Sequence, residues 1–270
     1  MSVLKIEGGN RLCGDIFVHG AKNSTLPVLA ASLICRTSSV IHNCPALSDV
    51  DASIRILEHL GCGVEREGTT IVIHTENPVF REIPDHLMRE MRSSIVFLGA
   101  IAARFSQARM SYPGGCELGP RPIDLHLSAL SQLGLGIDEG HGFLDCKADG
   151  RLHGAEIRLA LPSVGATENI MLAACTAKGR TTIHNAAREP EISDLADFLN
   201  GCGAKIWGAG EGTIYIEGVE SLTGAEHSVI PDRIAASTYM AAAAITKGKI
   251  TLRDVIPAHL GPVLPSFIEA

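Results

Sequence analysis

Aromatic side chains are scarce in this chain: one Trp, three Tyr and seven Phe, 4% of 270 residues, although 46% of the chain is hydrophobic. A core has to be built from aliphatic and small side chains, which favours closely packed elements over large aromatic clusters. Long basic runs are also missing, and the net charge is −7. That balance argues against nucleic acid as the main partner, so an anionic substrate would need a local cluster of Arg and Lys. The eight cysteines (13, 35, 44, 62, 116, 146, 175 and 202) include no C-x-x-C pair, and no H-E-x-x-H spacing occurs. No metal site and no disulfide framework is therefore expected. Cys35 and Cys175 fall in apolar helical runs and are expected to be buried thiols. No apolar run reaches the length of a membrane span, and the opening Met1-Ser2-Val3-Leu4-Lys5 shows no signal-peptide core. A reducing cytoplasm, with no membrane partner, is the expected location.

What is present is a repeat. Arg11-Leu12-Cys13-Gly14-Asp15 returns 140 residues later as Arg151-Leu152-His153-Gly154-Ala155. Ile41-His42-Asn43 returns as Ile183-His184-Asn185, and Leu60-Gly61-Cys62-Gly63 as Asn200-Gly201-Cys202-Gly203. Leu133-Gly134-Leu135-Gly136 lies halfway between, and a further copy opens at Leu222-Thr223-Gly224. Each unit reads as a short strand, a wholly apolar helix, a second strand, an amphipathic helix ending in Gly and two short alternating strands: β-α-β-α-β-β. The apolar helices fall at 26–34, 93–105, 168–177 and 234–245. Helices apolar all round are buried on every side. The predicted fold is α/β, with helices inside and sheets outside in an inside-out barrel of three units. The last copy stops short: Gly261-Pro262-Val263-Leu264-Pro265 stands where a second helix is expected, and Pro265 would disrupt a helix interior there. Three complete units plus a fragment are expected, with self-association through the unpaired strand edges of that unfinished unit.

Four stretches carry candidate chemistry. Tyr112-Pro113-Gly114-Gly115-Cys116-Glu117-Leu118-Gly119-Pro120-Arg121-Pro122 is neither helix nor strand by its Gly and Pro content, and it presents a thiol and a cation. An incidental Cys in a surface turn is the alternative. Lys22-Asn23 precedes the first apolar helix, where free N–H groups and a cation suit a phosphate or carboxylate; plain capping is the alternative. Arg92 stands at the start of the second apolar helix, either liganded or simply at the surface. Pro162-Ser163-Val164-Gly165 again offers free N–H groups before a helix.

Gly20-Ala21-Lys22-Asn23, the Pro-Gly-Gly-Cys loop running on to Arg121-Pro122-Ile123-Asp124-Leu125-His126, Ser163-Val164-Gly165-Ala166-Thr167 and Pro231-Asp232-Arg233-Ile234 occur together and in this order. In that combination the chain resembles the enolpyruvyl transferases, and among them the UDP-N-acetylglucosamine 1-carboxyvinyltransferases, from its start to about Leu264. The resemblance implies two domains of three units each with substrates between them. Residues 21–220 would form the complete domain, and 1–20 with 221–270 part of its partner. It implies phosphoenolpyruvate and UDP-N-acetylglucosamine as partners, and no cofactor or metal. Cys116 would be the proton donor. Lys22, Arg92 and Arg121 would meet phosphoenolpyruvate and phosphate. Asn23, Pro122, Ile123, Asp124, Leu125, Ser163 and Val164 would line the substrates. Two departures stand out: Ala235 where members often carry Glu, and Leu161 where some carry Lys. The alternatives are a non-catalytic remnant that binds sugar nucleotide and, less favoured, shikimate 3-phosphate enolpyruvyl transfer.

Overall fold

The computed structural model describes residues 3–79, 81–114 and 123–269. Cys116, Arg121 and Pro122 lie outside the described residues. The chain forms two compact units, Met1–Ala21 with Ile230–Ala270, and Lys22–Val229.

In chain order, β1 (Cys13–Phe17) opens the smaller unit. The larger unit starts with α1 (Lys22–Ser32), β2 (Ser39–His42), α2 (Ser48–His59), β3 (Gly63–Glu67) and β4 (Thr70–His74). Next come β5 (Glu82–Ile83), α3 (Asp85–Met88), a 3-10 turn at Arg92–Val96 that runs into α4 (Phe97–Phe105), and β6 (Gln107–Ser111). α5 (Asp124–Gln132), β7 (Leu135–Gly140) and β8 (Phe143–Ala148) follow. The third stretch holds β9 (Glu156–Arg158), α6 (Val164–Ala174), β10 (Arg180–His184), α7 (Pro190–Gly201), β11 (Lys205–Trp207) and β12 (Thr213–Glu217). β13 (Glu226–Ser228) ends the larger unit. The smaller unit resumes with α8 (Arg233–Ile245), β14 (Lys249–Arg253), a 3-10 turn at Pro257–Leu260 and α9 (Leu264–Glu269).

The repeat grammar becomes three sheets of one topology, β13-β2-β4-β3, β5-β6-β8-β7 and β9-β10-β12-β11. In each, the first pair is parallel and the other two are antiparallel. Residues 226–228 stay with the larger unit because β13 pairs with β2. The related copies even repeat their side-chain bonds. Asn43 and Asn185, both with positive φ (59° and 55°), each donate from Nδ2 at 2.9 Å to the carbonyl of the residue just after the parallel partner strand, Val229 O and Leu159 O. Asn tolerates this left-handed conformation better than most residues. His42 and His184 each bond a Glu of that partner strand, Glu226 and Glu156, at 2.9 Å.

Strands such as β4, β8 and β12 alternate buried and less buried residues, so each sheet turns one face to the helices. Against them α1 and α6 are buried over nearly their whole length, Ser24 to Ser32 and Ala166 to Ala174. Packing of α1 on α2, α4 and α7, and of α6 on α4, α5 and α7, puts small-residue helices at the centre of this unit. α4 and α6 approach closely at Gly99, where a Cβ would lie 2.4 Å from the carbonyl oxygen of Asn169. Cys35 and Cys175 are fully buried, as their apolar runs predict.

The smaller unit departs from the sequence reading in two places. The 234–245 segment is helical, but Ala236 is the one residue of α8 that is buried, and Ile234 and Ile245 are 49% and 85% exposed. A parallel pair, β1 with β14, covers one flank of α8, and a core of Val18, Ala236 and Leu260 is too small to enclose a helix. Pro265 does not prevent α9, because it occupies that helix's first turn, where no intrahelical N–H is needed. Among the described residues, no helix is long and apolar enough to cross a membrane.

Candidate active site

Helix N-termini of the larger unit carry most of the residues singled out from the sequence. α1 begins at Lys22, whose Nζ lies 3.1 Å from Asp49 Oδ2 in the first turn of α2. Asp49 and Asp51 complement the positive end of α2. Asn23 is exposed in the first turn of α1, and Pro27, four residues on, leaves the Asn23 carbonyl without its helical donor.

Arg92 opens the 3-10 turn ahead of α4 and donates from Nη1 to the Pro113 carbonyl at 3.3 Å, at the approach to the cysteine loop. Gly114 seals that approach: its N–H donates to Met88 O at 3.2 Å, and a Cβ there would sit 2.8 Å from Arg89 Cα. Only glycine allows this contact without moving backbone. Tyr112 donates its hydroxyl to Glu139, a bond that also raises the phenol's pKa.

On the far side of the loop, α5 starts at Asp124, with Ile123 buried before it and Leu125 half-buried after it. Arg92, Tyr112, Ile123, Asp124, Leu127, Ser128, Ser131, Ile137 and Glu139 line a cavity of about 550 Å³. The structure thus brings three sequence-predicted residues, Arg92, Ile123 and Asp124, to one concavity bounded by the two described ends of the loop. Lys22, Asn23, Ser163 and Val164 are not in its described lining.

Ser163 caps α6, its Oγ accepting from Ala166 N at 3.3 Å and its carbonyl from the Thr167 hydroxyl at 2.7 Å. Val164 follows as the first helical residue. α6 is tied to α5 by a pair the sequence reading did not assign, His126 and Asn169, with Asn169 Nδ2 2.7 Å from His126 Nδ1. The available signal was Asn169 itself, a carboxamide directly before the apolar run Ile170–Ala174 of a buried helix. A second cleft of about 580 Å³ is lined by Arg158, Asn185, Arg188 and Glu211 among others. Among the described residues, no three His, Cys, Asp or Glu side chains are grouped to hold a metal ion.

Comparison with known proteins gives this arrangement its relatives. The family model described as EPSP synthase (3-phosphoshikimate 1-carboxyvinyltransferase) matches residues 6–268. UDP-N-acetylglucosamine 1-carboxyvinyltransferase 2 of Caldanaerobacter subterraneus subsp. tengcongensis is 55% identical over 269 residues, covering 100% of this chain and 64% of the relative. UDP-N-acetylglucosamine 1-carboxyvinyltransferase 1 of Symbiobacterium thermophilum is 51% identical, covering 98% of this chain and 61% of the relative. The chain therefore spans under two thirds of the length of these curated relatives. Among solved structures, the enolpyruvyl transferase NikO from Streptomyces tendae superposes with a TM-score of 0.77 at 26% identity, covering 87% of this chain and 56% of that one. EPSP synthase from Acinetobacter baumannii, at 21% identity and a TM-score of 0.71 over 92% of this chain and 57% of its own, shares the fold. The fold is enolpyruvyl transferase-like α/β, and the chain belongs to the EPSP synthase (3-phosphoshikimate 1-carboxyvinyltransferase) family.

Proposed function

We propose that the chain serves enolpyruvyl transfer from phosphoenolpyruvate to the 3′-hydroxyl of UDP-N-acetylglucosamine, with release of phosphate, the committing step of peptidoglycan synthesis in the cytoplasm. The observation that carries this reading is the 55% and 51% identity, over essentially the whole chain, to relatives named for that transfer. The cavity between the two ends of the cysteine loop, with Arg92 in its wall, supports it. On this reading the larger unit is an inside-out barrel of three repeats with its helices enclosed, and the smaller unit is part of a second domain.

The chemistry assigns each residue a task. The Cys116 thiol gives its proton to C3 of phosphoenolpyruvate, which makes C2 electrophilic. The sugar 3′-oxygen bonds to C2 and loses its own proton, giving a tetrahedral intermediate. That intermediate expels phosphate as a proton leaves C3 and the vinyl double bond reforms. The thiolate left on Cys116 is a nucleophile able to add at C2 in the same pocket, and nearby cations favour it. Lys22, Arg92 and Arg121 meet the carboxylate and phosphate of phosphoenolpyruvate, the planar guanidinium groups bidentately. Asn23, Pro122, Ile123, Asp124, Leu125, Ser163 and Val164 line the sugar nucleotide. No metal or organic cofactor takes part.

The deciding experiment is phosphate release from phosphoenolpyruvate by the purified chain with two acceptors, UDP-N-acetylglucosamine and shikimate 3-phosphate, with the enolpyruvyl product identified by NMR. The second acceptor is included because the family model carries its name. Because the chain spans under two thirds of the length of its relatives, slow or no phosphate release is expected from it alone, and any turnover is expected with the sugar nucleotide and not with shikimate 3-phosphate. Turnover confined to shikimate 3-phosphate, or failure of the chain to bind UDP-N-acetylglucosamine, would sink the reading.

A further inference from the structure

The first and third sheets carry the same corner twice, so one copy serves as a control for the other. Just past the parallel strand, Val229 N donates to His42 O and Leu159 N to His184 O, both at 3.1 Å. Across the corner, Cys44 N donates to Thr69 O at 2.8 Å and Ala186 N to Gly212 O at 2.9 Å. These bonds align Ser228 with Arg158 and Thr69 with Gly212. Counting on from Asn43 and Asn185 aligns Ala46 with Arg188. The hydrogen-bonded frame is shared, but the side chains on it are not. A hydroxyl and a methyl in the first copy become two guanidiniums in the third, and Thr becomes Gly.

Arg158, Asn185, Arg188, Glu211 and Thr213 line the cleft of about 580 Å³ at the third corner. Gly212 beneath them is buried and takes a left-handed φ of 84°. A Cβ there would lie 2.6 Å from Arg188 Nε and 2.7 Å from its Nη2. Glycine therefore lets the guanidinium lie against the chain, where any side chain would push it away. Arg158 ends β9 with its side chain exposed, opposite His184 in register. Among the described residues, neither guanidinium has an ion pair or a hydrogen bond. Elsewhere Arg55, Arg66, Arg89, Arg109 and Arg253 each meet a carboxylate. In a chain of net charge −7, two uncompensated guanidiniums on one cleft are therefore an exception. They repel each other until an anion lies between them. Glu211 is the one carboxylate in the described lining, and its side chain has no ion pair or hydrogen bond either.

We propose that this corner of the third repeat binds a small phosphate ester: Arg158 and Arg188 hold the phosphoryl oxygens, and Glu211 accepts from a hydroxyl or amino group of the same molecule. Planar guanidinium forks match phosphoryl oxygens, and a phosphate dianion answers two cations where a single carboxylate answers one. The volume suits a molecule the size of a monosaccharide phosphate. The cleft shares no lining residue with the cavity at the cysteine loop, and the inference does not rest on the function proposed above.

The test is ¹H–¹⁵N NMR of the full chain at low ionic strength, following the backbone amides of Asn185 and Gly212. The probes are inorganic phosphate, glucosamine 6-phosphate and succinate. Both phosphates are expected to shift the two amides saturably, the ester at lower concentration, and succinate is expected to bind more weakly than either. Arg158→Ala and Arg188→Ala are each expected to weaken binding by roughly tenfold or more, the scale of one hydrogen bond between charged groups. Both side chains are exposed, so neither substitution threatens the fold. Glu211→Ala is expected to narrow the advantage of glucosamine 6-phosphate over inorganic phosphate. The shifts are expected to persist with UDP-N-acetylglucosamine at saturation; if the sugar nucleotide does not bind, the function proposed above fails while the phosphate titration still decides this inference. The inference is overturned if neither phosphate moves the two amides, if both arginine variants bind as wild type does, if succinate binds as tightly as the phosphates, or if bound sugar nucleotide abolishes the shifts.

Discussion

The Ser24 hydroxyl in α1 donates to Asp194 Oδ2 in α7, and the other carboxylate oxygen of Asp194 lies 2.9 Å from His227 Nε2. One buried carboxylate thus ties the helix that begins with Lys22 and Asn23 to α7 and, through His227 on β13, to the first sheet. Asp194 is 4% exposed and Ser24 fully buried, so removing the carboxylate strands two polar partners. Asp194→Ala is expected to cost about 3 kcal/mol and Ser24→Ala about 1 to 2 kcal/mol in urea unfolding. If Asp194→Ala loses less than Ser24→Ala, the carboxylate is not the centre of this network.

Glu168 supplies a prediction about pH. It is 7% exposed, and loss of hydration, then the charges of Glu191 and Glu189, hold it as a neutral acid up to about 8. In the unfolded chain the same carboxyl ionises near about 4.3. Below that pH both states keep the proton and the group contributes no slope. Between about 4.3 and 8 the unfolded chain binds fewer protons than the folded one, so stability falls as pH rises, by at most about 1.4 kcal/mol per pH unit. Above 8 the slope ends. Glu168→Gln removes the titration. Wild type is expected to lose about 2 kcal/mol or more relative to Glu168→Gln between pH 5 and pH 8 in urea unfolding. Parallel pH profiles would mean that Glu168 ionises normally in the fold.

The parts of this structure legible in the sequence are those that periodicity and backbone chemistry fix. The strand 39–42 is found as read, because alternation and a following turn residue, Asn43, bound it on one side. The helix expected over 93–105 opens instead as a 3-10 turn, where Arg92 and Ser94 bond Pro113 O and Met88 O, partners outside the helix that periodicity does not encode. The exposure of α8 was not legible, since an apolar pattern says that a face is suited to burial and not what lies against it. At the site, Arg92, Ile123 and Asp124 were singled out by residue type and meet in one cavity. The pairing of Lys22 with Asp49, and that of His126 with Asn169, depend on which helix ends meet in three dimensions, and no local pattern announces them.

Gly165 tests the packing of α5 on α6. Its missing side chain is what lets the His126 ring approach α6. A methyl at 3.0 Å from Cε1 pushes the ring away from the first turn, while Asn169 holds the other side of that ring. Gly165→Ala is expected to change unfolding stability by about 1 kcal/mol or less, since a helix gains from Ala what the contact loses. A loss of several kcal/mol in urea unfolding would show that the His126 ring cannot move aside.

The cysteines separate reactivity from exposure. Six of the seven described thiols are buried, and Cys13 is exposed. Burial pushes Cys44 and Cys146 up to about 12 and Cys62 to about 11. At pH 8 a thiol near 12 holds roughly one thiolate in ten thousand, so these groups are inert in the folded protein. Iodoacetamide is therefore expected to mark Cys13 ahead of the buried six. An anionic epoxide that mimics phosphoenolpyruvate, such as fosfomycin, has a different requirement: it needs cations to hold its phosphonate beside the thiol. If Lys22, Arg92 and Arg121 supply them, the epoxide marks Cys116 and leaves exposed Cys13 untouched, as read by peptide mass mapping. Inorganic phosphate should slow that adduct by competing for the same cations while leaving alkylation of Cys13 by iodoacetamide unchanged. Equal epoxide labelling of Cys13 and Cys116 would show that exposure alone governs the reaction, and would remove the proposed role of the three cations.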